Sequence, residues 1–168
     1  MMRRVRTVAL LLLISTLSLL LISCGGEKYT LGSLSFTLPE KMRKMTVAGY
    51  DMHFSTMECS LAIQQLDDEE LEPLGVTLSG GLEAIVDNFF MKNKIDKSQC
   101  FLSYSEEQGA YSFRYSVSSD EEAYYFHYVI IISNGTEAYF IDMTCDFEKA
   151  NYYLIEFQEW GKSFKLGK

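Results

Sequence analysis

The sequence predicts an α+β domain, an antiparallel sheet with helices packed against it. Three observations carry this. Segments that alternate apolar and polar residues recur along the chain and stop at Pro, Gly, Asn or Ser, the pattern of half-buried strands. Two stretches, around 82–90 and 147–164, repeat apolar residues at three- and four-residue spacing, as helices that bury one stripe do. The 168 residues are 48% hydrophobic and 14% aromatic, too much apolar surface for a disordered chain. A chain of this size suits a single domain, which buries roughly two-thirds of its unfolded surface on folding.

The N-terminal segment has a different character. Met1 to Arg6 is basic through Arg3, Arg4 and Arg6, and Val8 to Ile22 is apolar except for Ser15, Thr16 and Ser18. As a helix this run would span roughly 22 Å, short of a typical ~30 Å hydrocarbon core, so it reads as the apolar region of a signal peptide. Leu21-Ile22-Ser23-Cys24 follows and resembles the lipobox of bacterial lipoproteins. That resemblance implies cleavage before Cys24 and lipid on its sulfur, with Ser23 small enough to enter the peptidase. Residues 1–23 are thus expected to be a lipoprotein signal peptide, 24–28 a lipidated tether, and 29–168 one α+β domain. A diacyl or triacyl anchor holds firmly where a single chain does not. The expected location is the cell membrane, lipid-anchored on the extracytoplasmic face.

Along the domain, Ser33–Leu38 alternates and stops at Pro39, which predicts a strand. Tyr50–Met57 predicts a second strand and Ser60–Leu66 its hairpin partner. Asp67-Asp68-Glu69-Glu70-Leu71-Glu72-Pro73 reads as a charged loop. Leu82, Ile85, Val86, Phe89 and Phe90 form one helical stripe, with Ser79 as N-cap and Lys92 and Lys94 in the last turn. Cys100–Ser105, Ala110–Ser118, Ala123–Ser133 and Thr136–Cys145 read as a four-strand antiparallel meander, its last turn formed by Asn134-Gly135. A C-terminal helix from about Phe147 buries Phe147, Ala150, Leu154, Phe157, Gly161 and Phe164, with Trp160 beside them.

Phe36-Thr37-Leu38-Pro39-Glu40, the single mid-chain helix, the meander and the closing Trp160-Gly161-Lys162-Ser163-Phe164-Lys165 together resemble the PsbP-like family. The resemblance covers nearly all of residues 29–168 in element order. It implies an α/β/α sandwich that serves as a binding or accessory module rather than an enzyme. It carries over no functional residue.

Little catalytic chemistry is encoded. The formal net charge is −8, and three of the arginines lie in the first six residues, so the domain itself is more acidic still. That balance argues against a nucleic-acid partner, whose phosphates need a basic footprint. His53 and His127 do not build a zinc site by themselves, and no C-x-x-C or H-E-x-x-H spacing occurs. Gly80-Gly81 lacks the lysine of a phosphate cradle and reads as a turn, and G-x-S-x-G is absent. The acids at 67–72 lack the alternation of a calcium loop. No cofactor is expected. Tyr111, Phe113 and Tyr115 share one strand face and Tyr124, Phe126 and Tyr128 another; such rows form a core or, alternatively, a platform for a sugar or peptide.

Counting from the turns pairs Ser133 with Thr136, Ser118 with Ala123 and Ser105 with Ala110. In that register Asp142 faces His127, His127 faces Arg114, and Phe101 lies on the next strand. Arg114, His127 and Asp142 then form a polar row on one face, with Ser112, Ser116 and Thr144 one row away. Tyr111, Phe113, Phe126, Tyr128 and Ile141 occupy the other face. The row is a candidate binding locus for a polar or anionic ligand, or a structural ionic row under the C-terminal helix. The same register sets Cys100 and Cys145 about 14 Å apart at ~4.8 Å per strand, too far for a disulfide. Cys59 falls in a turn, and the sequence leaves its pairing open.

The expected function is therefore a lipid-anchored, extracytoplasmic binding or accessory module without catalysis, a monomer that meets an envelope or membrane protein. Alternatives are a small-ligand binder using the aromatic sheet face and a cell-envelope hydrolase. Cys24→Ser is expected to abolish acyl labelling and leave an uncleaved precursor on immunoblots. Normal processing of that variant would remove the anchor.

Overall fold

The computed structural model describes residues 26–119 and 123–167; Cys24 and the segment before it lie outside the described residues. Two antiparallel sheets are present. β1 (Glu27–Leu31), β2 (Leu34–Leu38) and β10 (Lys165–Leu166) form a small sheet in the order β1-β2-β10. The large sheet contains β3 (Arg43–Met45), β4 (Met52–Ser55), β5 (Cys59–Leu66), β6 (Ser103–Ser105), β7 (Ala110–Ser119), β8 (Ala123–Ser133) and β9 (Ala138–Asp146). Its order is β3-β4-β5-β9-β8-β7-β6. The α+β class and the meander expected from the sequence are thus present. The strand at Ser33–Leu38, however, belongs to a separate sheet that the sequence did not distinguish.

Helices cover both faces of the large sheet. The short α1 (Asp68–Leu71) and α2 (Leu82–Lys92) lie on one side, with Ile85, Val86 and Phe90 packed on Phe113, Val129 and Ile131. On the other side α3 (Ala150–Gly161) and the small sheet bury Tyr153, Phe157, Trp160, Phe36 and Phe164 against Phe126, Ile130, Ile132, Ile141 and Met143. This is an α/β/α sandwich. α3 approaches the sheet closely at Gly161, where a Cβ would sit only 2.9 Å from Ile130 Cδ1.

Several local expectations are corrected. The expected loop at Asp67–Pro73 is instead the helix Asp68–Leu71 followed by a 3-10 turn at Glu72–Leu74. Asp67 Oδ1 accepts the Glu70 N–H at 2.9 Å, the acids occupy the end of the dipole that favours them, and Leu71 is buried. Ser79 does not cap α2; it lies in a 3-10 turn capped by Thr77, and Gly81 at φ 91° leads into the helix. Lys94 lies beyond α2, at φ 54°. Cys100 precedes β6 in a segment that follows a 3-10 turn at Lys97–Gln99. Phe147 sits in a 3-10 turn and is half-exposed, whereas Tyr153, unassigned from the sequence, is buried.

Two hairpin registers differ from the turn-based count. Asn134-Gly135 does not close a two-residue turn. Asn134 Oδ1 accepts from the N–H groups of Thr136 and Glu137 and from the Thr136 hydroxyl, and Asn134 N–H donates to Glu137 O. These bonds hold a four-residue loop that pairs Ser133 with Ala138. The move is two residues, so faces are kept. At the other hairpin Ser119, not Ser118, pairs with Ala123. That single-residue shift exchanges the faces of β7 relative to β8.

Phe90, not Phe89, is the fully buried ring of α2; it is 3% exposed while Phe89 is only half-buried. Phe90→Ala is expected to cost about 3–5 kcal/mol and Phe89→Ala distinctly less, measured by urea titration. Equal losses would contradict this seating of the helix.

Candidate functional site

α2 packs over β7 and β8. Beyond it, the same sheet face carries polar residues. The register aligns Ser55, Ser60, Thr144, His127 and Tyr115 in one row, and His53, Ala62, Asp142, Val129 and Phe113 in the next. Adjacent rows on one face lie within side-chain reach of each other along the diagonal.

His127 and Asp142 meet on that diagonal. Their side chains are each 15% exposed. The Nδ1 atom of His127 lies 3.0 Å from both carboxylate oxygens of Asp142 and 3.3 Å from the Thr144 hydroxyl. A carboxylate only accepts, so the hydrogen-bond network assigns the proton to Nδ1. The Nε2 atom bonds no described residue and is not fully buried. The imidazole stacks flat on Tyr115, 3° between planes and 4.7 Å between centroids. The Tyr115 phenol is held well above the usual tyrosine range, first by burial and then by the charges of Asp142, Cys100 and Tyr50. Tyr115 is therefore a neutral wall for the ring rather than an anion.

Tyr50 and His53 extend this locus. The Tyr50 ring lies 6.2 Å from that of His53, whose Nδ1 is buried without a hydrogen-bond partner. Towards α2 the face continues into a cavity of about 200 Å³, with Phe89 and Phe140 as apolar lining and Gln64, Glu70, Asn88 and Lys92 as polar lining. A wider cleft of about 820 Å³, bordered by Gln108, Asn134, Lys162 and Lys165, lies elsewhere and contains none of these residues.

Of the three polar residues expected in one row, the structure brings together His127 and Asp142. Arg114 is not with them. It pairs with Tyr128, on the face that carries α3, because of the single-residue shift at the β7–β8 hairpin. Its guanidinium lies 4.0 Å from the centroid of Phe101, as a cation over an aromatic ring, and both border a shallow cleft of about 370 Å³. Ser112 and Ser116 go with Arg114, while Thr144 stays with His127. The shift likewise separates the aromatic rows. Phe113 is buried in one core and Phe126 in the other, Tyr111 and Tyr115 are half-buried beside α2, and only Tyr124 of that set is mainly exposed. The rows are core walls on opposite faces and make no single platform.

Tyr115 and His53 were not assigned to the site from sequence. The alternation of Tyr111, Phe113 and Tyr115 did place them on one face; only the register shows that His127 shares it. Among the described residues, no group of three or more His, Cys, Asp or Glu side chains is arranged to hold a metal ion.

No family model and no curated protein sequence matches the chain. Solved structures do. The solution structure of cyanobacterial PsbP (CyanoP) from Synechocystis aligns with a TM-score of 0.59 at 19% identity, over 86% of this chain and 98% of that one. A crystal structure from Bacteroides thetaiotaomicron gives 0.60 at 15%, over 85% of this chain and 49% of its own longer chain. The Ran-binding protein Mog1p of Saccharomyces cerevisiae gives 0.56 at 12%, over 86% and 96%. These likenesses show that the chain has a PsbP-like fold.

The geometry separates two pairs of residues. A His127→Gln/Asp142→Asn cycle is expected to show a coupling energy of about 0.5–3 kcal/mol, because the two share a hydrogen bond. An Arg114→Met/Asp142→Asn cycle is expected to be additive within about 0.5 kcal/mol, because the residues lie on opposite faces with no common partner. Urea titrations of the single and double variants provide both numbers, and coupling through Arg114 would contradict the register.

Proposed function

We propose that the chain is a non-catalytic binding or accessory module, tethered by lipid on Cys24 at the extracytoplasmic face of the membrane, and that the His127 face of its large sheet receives a partner protein of the envelope. The observation that carries the docking reading is the His127–Asp142 pair. Its Nδ1 proton is held by a carboxylate, its ring is fixed against a neutral tyrosine, and Nε2 is left without a described partner on a rigid sheet. A pre-oriented polar atom on a face that continues into a mixed polar and apolar cavity suits recognition, since little side-chain freedom is lost when a partner hydrogen-bonds it.

The Mog1p likeness supports the binding reading: that protein is described as Ran-binding, so the same fold serves to contact a protein there. The lipobox at Leu21–Cys24 supports the tether, and no helix of the described residues is long and apolar enough to cross a membrane. The acidic domain would be repelled by anionic headgroups while held near them, which leaves its sheet face available to a neighbouring protein. Catalysis has no support in the geometry. The Thr144 hydroxyl approaches the same nitrogen that Asp142 occupies, so Nδ1 is not free to take its proton.

The test places a photo-crosslinking amino acid at Tyr50, beside the pair, and at Tyr152, exposed on α3, in the full lipidated chain in its own membranes. An adduct with an envelope protein is expected from position 50, absent from position 152, and lost when His127→Ala is added. Equal adducts from both positions, or persistence in His127→Ala, would remove the docking face.

A further inference from the structure

We propose that Cys59 and Cys145 form a disulfide that staples β5 to β9 when the chain folds under oxidising conditions. Both are free thiols in this structure, as is Cys100. Cys59 does not lie in a turn, as the sequence suggested; it is the first residue of β5 and stands directly opposite Cys145 in the β5–β9 ladder. Opposed residues in an antiparallel pair have Cα atoms about 4.5 or 5.5 Å apart, depending on the kind of pair, and their side chains leave the sheet on the same face. Both distances fall inside the roughly 4.4–6.8 Å that a disulfide spans.

The surroundings already hold these two strand ends together. Cys59 follows the β4–β5 turn, and Cys145 precedes the 3-10 turn that leads into α3. Lys149 pairs with Glu58 at 2.9 Å, and the Tyr153 hydroxyl donates to Glu58 at 2.9 Å, so the turn and the base of α3 are joined from outside the core. Both cysteines are buried in the core beneath α3. Cys100 packs with the opposite core, and its thiol points to the Asp96 carbonyl at 3.6 Å. One partner is therefore assigned to each member of the pair, and Cys100 is left over.

The chemistry balances with a small or protein disulfide as oxidant. The thiolate of one cysteine attacks the oxidant's S–S bond, forming a mixed disulfide and releasing one thiol. The second cysteine then displaces the other, so two protons leave the chain and two electrons pass to the oxidant. Burial pushes the Cys145 thiol up to about 11 and raises that of Cys59, which hydrogen bonding with Thr56 and Tyr153 only partly offsets. Little thiolate exists in the folded state, so the bond forms during folding. Its closure of the long loop from Cys59 to Cys145 restrains the unfolded chain.

Export would supply the oxidising compartment, and the reaction is therefore run on purified protein so that it stands apart from the localisation proposal. The full chain, reduced and unfolded, is refolded in detergent with a reduced and oxidised glutathione couple, blocked with N-ethylmaleimide, and digested with trypsin without reduction. Lys44, Lys92, Lys97, Arg114 and Lys149 put Cys59, Cys100 and Cys145 on separate peptides. The expected product is a linked pair from segments 45–92 and 115–149, two hydrogen masses lighter than the separate peptides, with Cys100 alkylated. The oxidised chain should also unfold at a higher urea midpoint than the reduced chain, a difference that vanishes in Cys145→Ser. Alkylated Cys59 and Cys145, a bond through Cys100, or an unchanged midpoint on oxidation would overturn the proposal. The peptide map needs no variant to fold.

Discussion

Everything in this fold depends on burying both faces of β8 at once. Val129 and Ile131 lie in the core under α2, while Ile130 and Ile132 lie in the core under α3 and the small sheet. Side chains alternate strictly along a strand, so a slip of one residue against either neighbour would carry a polar set into one of these cores. The neighbours comply. Phe113 on β7 meets Val129, and Ile141 on β9 meets Ile130. Each pairing extends its own core sideways, and the two helices have apolar stripes to receive them.

The polar locus follows from where that coverage stops. α2 seals the half of its face over β7 and β8, and the face continues across β9, β5 and β4 without a helix of comparable length above it. There, and on β8 at His127 beyond α2, the alternation places Asp142, Thr144, His53 and His127 where Val, Ile or Phe fill the core elsewhere. A partly buried imidazole and carboxylate are costly unless each satisfies the other. They do so across the diagonal, and Tyr115, kept neutral, closes the side of the ring. The site is thus the border between a dry core and solvent.

That border fits the proposed role. A sheet is stiff, and a polar atom presented from it is already oriented before any partner arrives. Under that proposal, lipid on Cys24 would hold the acidic domain within reach of a neighbouring envelope protein. On the opposite side of the large sheet, α3 and the small sheet bury most of their apolar area in the core. Phe101, Tyr124 and Phe147 remain largely exposed around Arg114 and the start of α3.

Local chemistry by itself determined the elements. Period-two alternation gave β2, β5, β7, β8 and β9, and the 3.6 repeat gave α2 and most of α3, because each element must show one apolar face to something. It also placed His127 and Asp142 on the same face, since the two-residue difference in their hairpin preserves parity. The lipobox resemblance at Leu21–Cys24 is likewise a local pattern. Tertiary structure alone decided the rest. Asn134-Gly135 advertises a two-residue turn, yet the Asn134 side chain binds the backbone of a four-residue loop. The β7–β8 register follows the demands of two cores, which moved Arg114 to the far face and brought Tyr115 under His127. The juxtaposition of Cys59 with Cys145 joins strands far apart in the chain. Turn residues constrain only their own backbone, whereas register between strands is chosen by the packing on both sides of the sheet.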